Sequence, residues 1–338
     1  MRDFLQKIIS GQHLTASEAH AAMQKIMAGE ATHAQIAGFL VALRMKGETV
    51  EEITGFARAM REAALKVQAQ SRPLVDTCGT GGDRSHTFNI STAAAFIAAG
   101  AGVRVAKHGN RAASSQCGSA DVLEELGVNI NLAPQQVARC IDEVGIGFLF
   151  ARSLHPAMRH AAPVRSELGV RTVFNLLGPL TNPAGATRQV LGVFAAEWVE
   201  PLARVLQLLG TERAFVVHGA GGLDEISTLG ETQVAEVHPG GISCYRVTPE
   251  DFDLPRADLE ELRGGTPQEN AAMLLECLRN TPGPRLDITL LNAAAAIVAG
   301  GLANDLKEGF ARARYSVNSG AAQERLEALI ALSHSIDW

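Results

Sequence analysis

The sequence predicts an α/β fold, a mostly parallel sheet flanked by helices, with a small, discontinuous all-helical domain beside it. Three observations carry that expectation. Residues 1–70 show only helical periodicity, strand-like and helix-like segments alternate from Leu74 onward, and a helical patch over residues 156–177 interrupts the alternation.

At the N-terminus, Thr15 with Glu18, Thr32 with Gln35 and Thr49 with Glu52 have the spacing of capping boxes, in which each side chain satisfies the other residue's free backbone N–H. Apolar residues follow each start at helical intervals: Ala19, Ala22, Met23 and Ile26; Ile36, Phe39, Leu40 and Leu43; Ile53, Phe56, Ala57 and Met60. Gly29 and Gly47 supply stops, so three helices are expected. Strands are expected at 73–77, 103–106, 147–151, 189–194 and 213–218, with helices beginning at Ser91 and Val122. The apolar tract 293–303 is too short to span a bilayer and contains Gly300 and Gly301, so it reads as a core helix, as does 326–332. The expected division places 1–70, joined by helices from about 156–182, in the helical domain. Residues 71–155 and 183–338 then form the α/β domain.

A chain of 338 residues with 46% hydrophobic content can bury a large core. Arg2, Asp3 and Lys7 break up the first turns, which argues against a secretory signal and for a cytoplasmic protein without a membrane partner. The five cysteines, at 78, 117, 140, 244 and 277, are odd in number and lack a Cys-x-x-Cys pair. That argues against a disulfide framework and a structural zinc, and for reduced thiols. A net charge of −6 disfavours nucleic acid as a partner. It does not exclude a small polyanion, because charges act over about 8 Å at physiological salt and Arg104, Lys107 and Arg111 form a local basic cluster.

The chemistry concentrates in two loops. Asp76-Thr77-Cys78-Gly79-Thr80-Gly81-Gly82-Asp83 lies between a predicted strand and a predicted helix that opens near Asn89-Ile90-Ser91-Thr92. Glycines in such a turn let backbone N–H groups approach an anion, and the helix N-terminus adds partial positive charge. A dinucleotide fingerprint would need glycine where Arg84 stands, and a Walker loop would need Gly-Lys where Gly82-Asp83 stands. A tight turn without a ligand remains the alternative. In the second loop, Lys107-His108-Gly109-Asn110-Arg111 leads through Ser114 and Ser115 to Gly118-Ser119-Ala120-Asp121. Ligands of parallel sheets gather beyond the carboxyl ends of the strands, so the two loops should face one crevice. A solvated basic turn is the alternative, and it leaves the serines unexplained. Asp224-Glu225 follows another strand and reads as either a metal site beside a phosphate or a solvated surface pair. Arg165 can grip a carboxylate through two parallel hydrogen bonds, or simply pair with Glu167 on a helix surface. His108 and His155 receive no chemical role.

These landmarks, together with Asn175-Leu176-Leu177-Gly178-Pro179-Leu180 and Gly222-Leu223-Asp224-Glu225, come in an order that closely resembles the anthranilate phosphoribosyltransferases across essentially the whole chain. The resemblance implies a nucleoside-phosphorylase/phosphoribosyltransferase-like fold, a homodimer formed through the helical domain, and Mg²⁺-dependent transfer of a phosphoribosyl group from phosphoribosyl pyrophosphate to anthranilate. It implies donor contacts from Gly79, Gly82, Asp83, Thr87, Asn89, Ile90, Ser91 and Thr92, and from Lys107, His108, Gly109, Asn110, Arg111, Ala112, Ala113, Ser114, Ser115 and Ser119. Gly79, Asn110 and Arg165 match the anthranilate contacts. Of two Mg²⁺ ions, one takes Ser91 as a ligand, and Asp224 with Glu225 hold the other. No residue serves as nucleophile or catalytic base; catalysis is electrostatic and positional. Arg84 stands where similar proteins commonly have glycine, and Arg152 where proline is frequent. A pyrimidine-nucleoside phosphorylase and a noncatalytic nucleic-acid-binding relative are the alternatives.

Overall fold

The computed structural model describes residues 1–112 and 116–335. Four helices open the chain: α1 (Arg2–Ile9), α2 (Ala16–Met27), α3 (His33–Lys46) and α4 (Val50–Ala63). All three capping boxes form; Thr15 N–H, for example, donates to Glu18 Oε2 at 2.8 Å while Glu18 N–H donates to Thr15 Oγ1 at 3.2 Å. Gly29 and Gly47 sit past the ends of α2 and α3 with φ of 76° and 86°, the left-handed conformation that stops a helix. The helix absent from the sequence-based expectation is α1, whose N-cap Met1 makes no side-chain cap.

The remaining elements, in chain order, are β1 (Val75–Asp76), α5 (Ile90–Gly100), β2 (Val105–Gly109), α6 (Ser119–Glu125), α7 (Pro134–Arg139), β3 (Ile146–Phe150), α8 (Ala151–Leu154), α9 (Ala162–Leu168), α10 (Phe174–Leu177), β4 (Arg188–Gly192), α11 (Val199–Leu208), β5 (Arg213–Gly219), β6 (Thr232–His238), β7 (Gly241–Val247), α12 (Pro267–Leu278), α13 (Pro284–Ala299), α14 (Leu306–Asn318) and α15 (Ala321–Ser335). They build one seven-stranded sheet in the order β3-β2-β1-β4-β5-β6-β7. Strands β1 to β5 run parallel, and β6 and β7 add an antiparallel edge.

Further features depart from the sequence-based expectation. The β6–β7 hairpin is not among the expected strands, because β7 carries exposed Ser243 and Cys244 in place of an apolar alternation and is defined by its ladder to β6. Strand β2 begins two residues later than expected and runs to Gly109, because Lys107, His108 and Gly109 pair with Phe148, Leu149 and Phe150 of β3. Lys107 and His108 therefore project from a strand and not from a loop.

The sheet buries both faces, and its alternation divides them. Val190, Phe215, Val217 and Val234 face a core shared with α5 and α13, whereas Leu191, Val193, Ala214, Val216, Ala235 and Val237 face a core shared with α2, α3, α4, α9, α10 and α11. Residues of α9 and α10, including Val164, Phe174 and Leu177, thus pack with the N-terminal helices despite their distance in sequence. Among the described residues no helix is long and apolar enough to cross a membrane.

One buried ion pair anchors the N-terminal helices. Glu52, fully buried, accepts from Leu14 N–H at 2.9 Å, Thr49 N–H at 2.9 Å and Lys46 Nζ at 2.8 Å. Replacing Glu52 with alanine removes the carboxylate partner of the buried Lys46 ammonium and strands two backbone donors, so urea unfolding should show a loss of roughly 3–5 kcal/mol. A loss below about 1 kcal/mol would mean the pair is effectively solvated.

Candidate functional site

From β1 the chain moves to β2 and β3 on one side, then returns to β4 and β5 on the other, which opens a crevice beyond the carboxyl ends of β1 and β4. At its floor lies Asp76, buried at 1% exposure. One oxygen accepts from His108 N–H at 3.0 Å and the other from Asn182 Nδ2 at 2.7 Å. Asn182 also donates to the Ala106 carbonyl at 2.8 Å. Burial pushes the Asp76 carboxyl up to about 6, and these donors and Lys107 pull it back.

The first loop is tied to the neighbouring strand and to an acid. Thr80 N–H donates to the Gly192 carbonyl at 2.8 Å, and Phe194 N–H donates to Thr80 Oγ1 at 3.0 Å. Gly81, at φ 61°, turns its N–H onto Asp224 Oδ2 at 2.8 Å. A side chain at Gly79 would begin 2.7 Å from the same oxygen, so the close approach this glycine allows is to the protein's own carboxylate. Arg84 is exposed and left-handed at φ 63°, a conformation that glycine adopts without strain.

Three acids crowd this edge. Asp224 is pushed up to about 7, first by burial and then by Asp83, and Glu225 is pushed up by burial and by Asp224. Lys107 and Ser91 N–H act in the opposite direction on Glu225. Asn292 of α13 positions the pair from behind, accepting from Ile226 N–H at 2.9 Å. Half-buried carboxylates that are costly to ionise, with the Ser91 hydroxyl close by, form a hard oxygen set in need of a cation, and Mg²⁺ fits such a set.

Lys107, 3% exposed, extends Nζ to Thr77 Oγ1 at 3.2 Å, the Thr77 carbonyl at 3.3 Å and Ser91 Oγ at 3.4 Å. Burial lowers its pKa, and among the described residues no carboxylate lies within ion-pair distance of it. Thr92, in the first turn of α5, has a buried hydroxyl with no partner among the described residues. Ile90 begins that helix, and Thr87 forms an isolated bridge to Arg263. Asp83 accepts from the Ser85 hydroxyl beside Gly82. Asn89 is occupied structurally, donating to the Cys117 carbonyl at 3.2 Å and accepting from Asn270 at 2.9 Å.

The second loop is shaped by Asp121, which accepts from Ala112 N–H and Gly118 N–H, each at 2.9 Å. Arg111, expected from sequence to offer charge to a ligand, is already matched: it pairs with Asp121 at 2.9 Å and Glu124 at 2.8 Å. Gly109 lies against Ser119 Oγ, and Asn110 Oδ1 accepts from Arg111 N–H at 2.9 Å. Ala113, Ser114 and Ser115 lie outside the described residues. Asp76, Asn182, Thr80 and Asp121 carry no role in the sequence reading; only the capping-box spacing of Gly118 and Asp121 could have signalled one of them.

Arg165 stands apart from both loops, on α9. Its guanidinium lies 5.1 Å from the Phe174 ring centroid, burial lowers its pKa, and among the described residues no acid pairs with it. The surface pairing with Glu167 is therefore not formed. His108 and His155 lie 5.1 Å apart between centroids with their planes tilted by 43°, and burial holds them down to about 3 and about 4, so both are neutral at pH 7.

A glycosyl transferase α/β domain matches residues 71–323, and the helical bundle domain of the same glycosyl transferases matches residues 2–64. The anthranilate phosphoribosyltransferase of Symbiobacterium thermophilum is 57% identical over 337 residues, 99% of this chain and 98% of that protein. The crystal structure of the enzyme of that name from Thermus thermophilus superposes with a TM-score of 0.94 at 52% identity, covering 98% of this chain and 100% of that one. The Saccharomyces cerevisiae anthranilate phosphoribosyltransferase in complex with PRPP and Mg superposes with a TM-score of 0.90 at 30% identity, covering 99% and 98%. The chain belongs to the anthranilate phosphoribosyltransferase family.

An acid whose pKa in the fold lies above its ordinary value keeps a proton that the unfolded chain releases, so its contribution to stability is full at low pH and is lost as pH rises through the folded value. For Asp224 that window runs from 3.8 to about 7. Metal-free protein should lose stability across it, and Asp224→Asn should lose less. Urea denaturation at about pH 5 and about pH 8 compares the two; equal losses would remove the shift at Asp224.

Proposed function

We propose that this protein transfers the 5-phosphoribosyl group from phosphoribosyl pyrophosphate to the amine of anthranilate, giving N-(5-phosphoribosyl)anthranilate and pyrophosphate. The observation that carries the reading is the juxtaposition of a buried lysine, without an ion pair among the described residues, with three crowded acids at the phosphate-loop rim. The same acids disfavour phosphorolysis, because a free phosphate beside three carboxylates would be repelled, whereas a metal-complexed diphosphate is not.

Ser91, Asp224 and Glu225 would hold two Mg²⁺ ions per site, which would supply charge neutralisation for the departing diphosphate. The chain's own groups do the rest. Among the described residues, Lys107 offers an ammonium without an ion pair and Thr92 a hydroxyl without a partner, and the start of α5 adds its N–H groups. The segment from Gly79 to Ser91, which runs into α5, and the segment from Lys107 to Ser119, which leaves from β2, surround the donor. Asn110, the backbone at Gly79 and Arg165 take the anthranilate, with Arg165 gripping its carboxylate. Holding the amine at the ribose carbon makes the displacement effectively unimolecular, so no protein nucleophile is required.

The division into a helical domain of 1–70 with 156–182 and an α/β domain of 71–155 with 183–338 belongs to this reading. So do a cytoplasmic location and a homodimer through the helical domain. Ile9 at 67% exposure and Met45 at 83%, both on that domain, support the dimer.

Two measurements test the assignment. Fluorescence of the product should appear only with Mg²⁺, and Asp224→Ala combined with Glu225→Ala should abolish it while circular dichroism stays unchanged; undiminished turnover would defeat the metal assignment. Arg165→Lys should raise the KM for anthranilate by about 10- to 100-fold and barely move that for the donor. Equal effects on both constants would take Arg165 out of the acceptor site.

A further inference from the structure

The glycine turn needs ties from outside itself. Between Gly79 and Gly82 only Thr80 has a side chain, and glycine backbone loses more freedom on ordering than that of any other residue. Thr80 Oγ1 accepts from Phe194 N–H at 3.0 Å, Thr80 N–H donates to the Gly192 carbonyl at 2.8 Å, and Gly81 N–H reaches Asp224 Oδ2 at 2.8 Å. Phe194 lies just beyond the end of β4, and its half-buried ring packs on the core shared with the N-terminal helices. A cation sits on that ring. The Arg171 guanidinium, from the segment just before α10, is 4.5 Å from the ring centroid, the shortest such contact among the described residues. Among the described residues no acid and no hydrogen-bond acceptor meets this guanidinium, so the ring is what it rests on. The backbone of Arg171 is fixed separately, because its carbonyl accepts from Arg44 of α3.

We propose that Arg171 is a positioning residue for the phosphoribosyl donor, acting through the Phe194 ring. The cation fixes the ring, the ring fixes the direction of Phe194 N–H, and that N–H holds Thr80 and with it the amides of the glycine turn. Arg171, Phe194 and Thr80 are all absent from the residues assigned above to a substrate or to Mg²⁺, and the role rests on the donor lying against the glycine turn as proposed there. Sequence spacing could not reveal it, because Arg171, Phe194 and Thr80 lie on three separate segments that only the folded chain brings together.

Arg171→Met keeps the length of the side chain without its charge, and Phe194→Leu keeps an apolar group without its ring face. In the full-length, ligand-free protein, each should speed amide hydrogen exchange in peptides covering residues 78–84 and 192–195 by about 3- to 10-fold. Each should raise the KM for phosphoribosyl pyrophosphate by about 3- to 10-fold with kcat within about twofold. The double variant should do no more than the larger single change, because both substitutions break one contact. Phe194→Tyr, which keeps the ring face, should match the wild type in both measurements. Unchanged exchange in both single variants, or a double variant whose KM change is the product of the two single changes, overturns the role of Arg171. Exchange is read without any ligand, so a wild-type protein unable to use the donor would overturn the function proposed above while exchange still decides whether Arg171 holds the turn.

Discussion

A single buried carboxylate organises the rim on which the chemistry is built. Asp76 receives His108 N–H on one oxygen and the Asn182 amide on the other, and Asn182 reaches on to the Ala106 carbonyl. Three stretches distant in sequence, the end of β1, the end of β2 and the turn at Asn182, are thereby held together. Taking a carboxylate out of water is costly unless its lone pairs are met, and burial still lifts Asp76 to about 6. Both ligand-facing loops leave from strand ends held by this arrangement, so their positions are set before any substrate arrives.

The second constraint is electrostatic and works against the fold. Asp224 and Glu225 are pressed together beside Asp83, where their ionisation is unfavourable, and Lys107 is buried nearby with no acid in direct contact among the described residues. A structure optimised only for stability would pair these charges directly. Leaving the acids short of a cation and the lysine short of an anion makes the site complementary to a metal-bound diphosphate, which supplies both. Arg165 repeats the pattern on α9, a partly buried guanidinium resting on Phe174 without an acid.

Much of this is legible in the sequence because the signals are local. Capping boxes at Thr15, Thr32 and Thr49 and the glycine-rich turn after Asp76 depend on residues three or four apart, and each appears where its spacing places it. The hairpin of β6 and β7 is not legible, because exposed Ser243 and Cys244 hide a strand that exists by virtue of its ladder. Nor is the fate of Arg111, which reads as a free cation until α6 brings Asp121 and Glu124 against it.

The sequence by itself determined the starts of α2, α3 and α4, the alternation that builds a parallel sheet, and the family whose motifs appear in order. The tertiary structure alone decided which charges are spent on the fold and which remain for a ligand, and how the two sheet faces are divided between separate cores. The physical reason is range. Propensity, capping and periodicity act within a turn or two of chain, whereas ion pairing, desolvation and the sharing of a buried carboxylate depend on distances that exist only once strands far apart in sequence lie side by side.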